Sequence, residues 1–160
     1  MSHKNVHVHL ENVPLFAGLA QEHLELLAAM LSRRFYPAGE VLFPQGGRAI
    51  HLFIVLKGLV SIRFKPHDGE VIPVAEIKKD GVFGWSAALG HRNYSSSAVC
   101  IEDSEVLCIR GADLQTLCSA HPETGVVILE RLAGVIAERL NNTHQHVIDL
   151  LWEGVKAKQG

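Results

Sequence analysis

No apolar run in this 160-residue sequence approaches the roughly 20 residues of a bilayer-spanning helix. The N-terminus also lacks the apolar core of a secretory signal, so a cytoplasmic protein without a membrane contact is expected. Cysteine is scarce. Cys100, Cys108 and Cys118 are odd in number and show no Cys-x-x-Cys spacing, so they read as reduced and buried. A reactive or haem-ligating thiol needs a polar, exposed setting that their apolar neighbours do not offer. Neither sign of charge dominates: 15 basic against 17 acidic residues leave a net charge of −2, with no general pull towards nucleic acid. Nucleophile-and-base spacings, paired acids and metal sets are missing too, and no enzymatic activity is expected. There is no internal repeat and no low-complexity segment.

What is present describes an ordinary globular chain, 48% hydrophobic and 20% charged, of a length that fits one domain with a real core. Its organisation divides into a lead-in (1–9), an N-terminal helical segment (10–33), a strand-rich middle (34–110), C-terminal helices (111–142) and a helical extension with a polar tail (143–160). Histidines crowd both ends: His3, His7 and His9, then His144 and His146. A His-x-His pair can chelate a metal, but no acidic or cysteine partner sits beside either pair at ligand spacing, and neither lies in the strand-rich middle. They read as incidental, and no metal site is expected.

Leu24, Leu27, Ala28 and Leu31 recur at helical spacing and predict a helix over about 20–33. From Tyr36 to Ile109 the text changes to short runs with even punctuation, at Pro37-Ala38-Gly39, Gly46-Gly47, Lys57-Gly58, His67-Asp68-Gly69 and Lys79-Asp80-Gly81. Such spacing predicts an all-β barrel or sandwich, with strands at 40–43, 51–56, 60–64, 71–77, 96–101 and 105–109. Val60, Ile62 and Phe64 alternate with Ser61, Arg63 and Lys65, predicting one buried and one wet face. Ile50 to Leu56 is apolar almost throughout, as for a strand covered on both sides. Ala112–Cys118 then reads as a short helix, and Pro122 as the first residue of a long one. Val126, Leu129, Leu132, Ala133, Ile136 and Leu140 line one face of it, and Val127, Ile128 and Val135 widen the apolar surface. Asn141-Asn142-Thr143 reads as an interruption.

The stretch from Gly81 to Val99 carries the chemistry. Glycines flank Phe83, Ser86-Ala87-Ala88-Leu89 reads as one short helical turn, and Gly90 can end it in the left-handed region. Ser95-Ser96-Ser97-Ala98 follows. Free N–H groups beside hydroxyls suit an anion such as phosphate, while small residues beside glycine also serve any tight turn.

This stretch resembles the phosphate-binding cassette of the cyclic-nucleotide-binding domain, as in bacterial catabolite-activator-type regulators and kinase regulatory subunits. Phe83-Gly84 matches its opening, Ser86–Leu89 its short helix, and Ser95-Ser96-Ser97 its closing small residues. Pro14-Leu15-Phe16 and Gly69-Glu70 fit the same family. Two positions depart from it: Trp85 stands where the family has the glutamate that holds the ribose hydroxyl, and Tyr94 where it has the arginine opposite the cyclic phosphate. The resemblance covers roughly 10–142. It implies a mainly β fold, a jelly-roll barrel with an N-terminal helix and a long, dimerising C-terminal helix. The implied site comprises Phe83, Gly84, Trp85, Ser86, Ala87, Arg92, Tyr94, Ser95 and Ser96, for a cyclic nucleotide or another small anion and with no further cofactor. Trp85 can stack on a base or fill the pocket, and Arg92, two residues before Tyr94, is either a phosphate ligand from the loop or a surface arginine.

The expected function is a regulatory, ligand-sensing module with altered or lost cyclic-nucleotide affinity, working as a homodimer through its C-terminal helix. The alternative is the effector domain of a cyclic-AMP- or cyclic-GMP-responsive regulator whose DNA-binding part is absent from this chain. Eighteen residues follow Asn142, too few for a helix-turn-helix, so no DNA binding by this chain alone is expected.

Overall fold

A computed structural model describes residues 9–159. A 3-10 turn, Leu10–Asn12, leads to α1 (Gln21–Met30), followed by β1 (Ser32–Tyr36), β2 (Val41–Phe43), β3 (His51–Lys57), β4 (Val60–Phe64) and β5 (Ile72–Ile77). The chain continues through β6 (Val82–Phe83), β7 (Ser97–Cys100), β8 (Ser104–Arg110), α2 (Gly111–Ala120) and α3 (Pro122–Gln159). The strands form two antiparallel four-stranded sheets, ordered β1-β8-β3-β6 and β2-β7-β4-β5. This is a jelly roll with flanking helices.

The unbroken apolar text of β3 has a direct cause. Phe53 and Val55 point between the sheets, where they meet Phe43, Val60, Phe83 and Val106. Leu52 and Ile54 point the other way, into a second core shared with Leu24 and Leu27 of α1, Leu114 and Leu117 of α2, and Ile128 and Leu132 of α3. Each such fully buried side chain contributes about 1.5–3 kcal/mol, so the helices are fixed to the first sheet by their own stripes.

Helix α1 is shorter than its periodicity predicts. Leu31 is buried but extended (φ −79°, ψ 144°), and Ser32–Tyr36 pairs with β8 instead of continuing the helix. The two-residue β6 is too short for any period, and its pairing with Phe53 and Ile54 of β3 defines it. The alternation in β4 fails at both ends. Ser61 is buried with Arg63 Nε donating to its hydroxyl, and Phe64 is 40% exposed beyond a register shift at Ile62/Arg63. Helix α3 runs without interruption through Asn141–Thr143; the modest propensity cost of asparagine is outweighed once a helix is propagating.

Cys100 and Cys108 are buried and Cys118 is partly so, all as free thiols. Burial pushes the Cys100 and Cys118 thiols up, away from the reactive thiolate. His3, His7 and the side chain of His146 lie outside the described residues. Among the described residues, no helix is long and apolar enough to cross a membrane and no metal-holding cluster occurs.

Candidate functional site

The cassette leaves β6 at Gly84, whose φ of +76° and approach to the His51 carbonyl leave no room for a side chain: a Cβ would sit 2.9 Å from that oxygen. The chain then makes a single tight turn. Ala88 and Leu89 donate to the Trp85 carbonyl at 2.9 and 3.0 Å, His91 donates to that of Ser86 at 2.9 Å, and Gly90 (φ +78°) ends the turn. Sequence and geometry agree on this frame because glycine at each end permits the reversal.

The predicted residues separate into three places. Phe83 is fully buried and stacks on Phe53 at 5.0 Å, so it supports the barrel rather than facing a ligand. Ala87 is buried as well, and its N–H donates back to the Gly84 carbonyl, which removes it as a free anion donor. Arg92 lies on an exposed basin with Arg48, His91, Asn93 and Gln115, apart from the cavity that Trp85 and Tyr94 line. The structure places Arg92 on the surface, the second of its two sequence readings, and does not bring it to that cavity.

Gly84, Trp85, Ser86, Tyr94, Ser95 and Ser96 are brought together. They line a cavity of about 60 Å³ with Phe43, Ile62 and Arg139. Tyr94 does not project into it as a free hydrogen-bonding group. The ring stacks on Phe43 with centroids 3.6 Å apart, and the hydroxyl donates to the His51 carbonyl at 2.6 Å while accepting the His51 N–H at 3.0 Å. Burial raises the phenol pKa against the lowering effect of those backbone bonds, so the group is neutral at physiological pH. Tyrosine here clamps β3.

Arg139 of α3, absent from the sequence prediction, lines this cavity and the cleft beside it. Its guanidinium lies over the Trp85 ring, 4.2 Å from the centroid, and Nη2 donates to the Val82 carbonyl. Burial brings its pKa down to about 10, still well above neutral pH. A signal did exist: 139 falls seven residues after the buried Leu132 and four after Val135, so an arginine interrupts a barrel-facing stripe. Outside Arg139 an open cleft of about 580 Å³ separates residues 74–82 from α3, with both charge signs on its walls, Lys78 and Lys79 against Glu76, Asp80 and Glu138. The inner cavity has the glycine and hydroxyls; the outer cleft has the room.

A family model for the cyclic nucleotide-binding domain matches residues 33–121. The cyclic AMP receptor protein of Thermus thermophilus is 32% identical over 143 residues, covering 89% of this chain and 63% of that protein. The solved Thermus thermophilus catabolite activator protein superposes with a TM-score of 0.69 at 32% identity, over 86% of this chain and 62% of the other. The regulatory subunit of a cAMP-independent protein kinase A from Trypanosoma brucei shares the fold (TM-score 0.70, 20% identity, 83% of this chain and 47% of that one). This chain thus spans less than two thirds of the length of each of these relatives.

Proposed function

The chain belongs to the cyclic-nucleotide-binding domain family, and from that premise we propose that it is a non-catalytic regulatory module with little or no affinity for cyclic AMP and cyclic GMP. One observation carries the reading. Tyr94, at the place of the family's phosphate-pairing arginine, has its hydroxyl committed to the His51 backbone and its ring to Phe43. Trp85 replaces the ribose-holding glutamate and is itself covered by Arg139. The cavity that remains, about 60 Å³, is far below the roughly 300 Å³ at which small-molecule sites begin. Each lost charged hydrogen bond costs about 1.5–3 kcal/mol, so two cost about a hundredfold or more in affinity. Calorimetry with cyclic AMP and cyclic GMP is expected to show no saturable heat; a micromolar Kd would refute the reading. A second reading, the effector domain of a cyclic-nucleotide-responsive transcription regulator, draws on the identity to the Thermus receptor and predicts that micromolar Kd.

We propose further that α3 pairs with a second copy of itself. Ile128 and Leu132 are spent on the barrel, whereas Val126, Leu129 and Leu140 are 55%, 45% and 64% exposed. With Ala133 and Ile136 these residues follow the alternating three- and four-residue spacing of a coiled-coil seam. Ile136 packs partly against its own core, so Leu140→Glu is the cleaner test than Ile136→Glu. Sedimentation should show a wild-type dimer and a Leu140→Glu monomer; a monomeric wild type at the same concentration would leave the seam without this role.

No DNA contact is proposed for this chain alone, in a cytoplasmic setting. The net charge is −2, and α3 occupies the described residues from Pro122 to Gln159. Anisotropy titrations with duplex DNA should stay flat, and a saturable, salt-sensitive rise would overturn that expectation.

A further inference from the structure

Arg48 and Arg92 bring two guanidiniums to one exposed basin of about 640 Å³, apart from the cavity that Trp85 lines. No acidic side chain lines this basin. Three other arginines are committed within the chain: Arg33 pairs with Glu105, Arg131 donates to the Leu15 carbonyl, and Arg139 to that of Val82. Among the described residues, neither Arg48 nor Arg92 makes an ion pair. Their backbone, by contrast, is fixed. The Ala49 N–H donates to the Arg92 carbonyl, the Tyr94 N–H to that of Gly47, and the Gly46 N–H to that of Tyr94, each at 2.8 Å. Arg48 and Asn93 form an isolated bridge between the same two loops. The loops are thereby held as one platform, and the two cations need no loop ordering to meet a partner.

We propose that this basin docks an acidic, extended segment of a partner protein, with its carboxylates on Arg48 and Arg92. Charge complementarity carries the choice, since a guanidinium fork matches a carboxylate with two parallel hydrogen bonds. A single small anion is a poorer fit, because exposed ion pairs in water are weak one at a time. A segment with several carboxylates adds such contacts on one backbone. The amide nitrogens of Asn93 and Gln115 are spent on the Gly46 and Ala88 carbonyls, which leaves their oxygens to accept peptide N–H groups. Nucleic acid fits less well: it asks for a track of cations along its phosphates, and these two arginines sit on a chain of net charge −2. Ala87 of the cassette and Ala112 of α2 both line the basin, so a docked segment touches both elements. The inference goes beyond the cyclic-nucleotide reading and does not depend on it.

The test is the fluorescence anisotropy of a labelled oligoglutamate peptide titrated with the full chain at low and moderate salt. Saturable binding that weakens as salt rises is expected. Arg48→Glu with Arg92→Glu should weaken it about tenfold or more, because like charges then face the peptide. Lys78→Glu with Lys79→Glu is the matched control: both lysines are exposed, line the outer cleft and change the net charge by the same amount. That variant should bind nearly as the unaltered chain does, since salt screens charges beyond the basin. Thermal melts check that both variants fold, as expected of changes at exposed positions. Equal weakening by the two variants would mean that the peptide senses net charge alone, and overturns the site. Absence of saturable binding to the unaltered chain overturns it as well. A labelled single-stranded oligonucleotide forms the second arm and should bind more weakly than the peptide. Equal or tighter binding of the oligonucleotide, lost with the two arginines, gives the surface to nucleic acid and overturns the assignment to a protein segment.

Discussion

Trp85→Glu combined with Tyr94→Arg is expected to bind cyclic AMP at least about a hundredfold more tightly than the unaltered chain. Each substitution restores a charged contact that the family resemblance assigns to its position, and each is worth about 1.5–3 kcal/mol. The Trp85→Glu change also alters what Arg139 meets. The guanidinium now lies on the indole face; with a carboxylate in place of the indole, the two groups can pair and leave the volume of the ring free. The gain is accompanied by a loss of stability. Tyr94 is only 4% exposed and satisfies both His51 backbone groups, so Tyr94→Arg leaves a buried N–H and carbonyl to find new partners, at about 1–3 kcal/mol each. A lower Tm together with a new calorimetric signal is therefore the expected pair of results. Tyr94→Arg alone should stay weak, because the Trp85–Arg139 stack still fills the site. A folded double variant without cyclic-AMP heat would show that something other than the two missing charges closes the pocket.

Gly111→Ala is expected to destabilise the protein by about 1–3 kcal/mol, although helix propensity alone predicts a gain of about 0.5–1 kcal/mol. Gly111 is the first residue of α2, and its N–H donates to the Ile50 carbonyl at 2.9 Å. A Cβ there would lie 2.6 Å from the Ala87 carbonyl carbon and closer still to its oxygen. That neighbour is backbone, which cannot rotate aside. Either the start of α2 or the whole cassette turn must shift, so the melting temperature should fall. Gly134→Ala in α3 is the control, since a Cβ there meets nothing within 4 Å and the ordinary propensity gain should appear. Thermal melts of both variants check the sign: an unchanged or raised Tm for Gly111→Ala would mean that α2 does not abut the cassette at this point.

Much of the barrel was readable because its signals are local. The apolar run of β3 records burial on two faces, the glycines at 84 and 90 record a reversal, and Pro122 marks the start of α3. β1 was not readable, because Ser32–Tyr36 is a strand only by virtue of its pairing with β8, far later in the chain. The two sequence readings of Arg92 could not be separated for a related reason: the extended-chain rule puts it on the same face as Tyr94, while the loop is bridged to residues 48 and 49 and carries Arg92 at the surface.

The sequence by itself determined the family and the alternation of strands and helices, and it offered Trp85 and Tyr94 at the places where the resemblance expects two charged residues. Each of these lies in residue identity and short-range spacing, which survive without a fold. Only the tertiary structure decided what the two aromatic residues do and which charge faces the cavity. Tyr94 meets His51 and Phe43, and Trp85 meets Arg139, across separations of more than forty residues. Contacts of that kind depend on how the sheets and α3 pack together, and no local period encodes the partner.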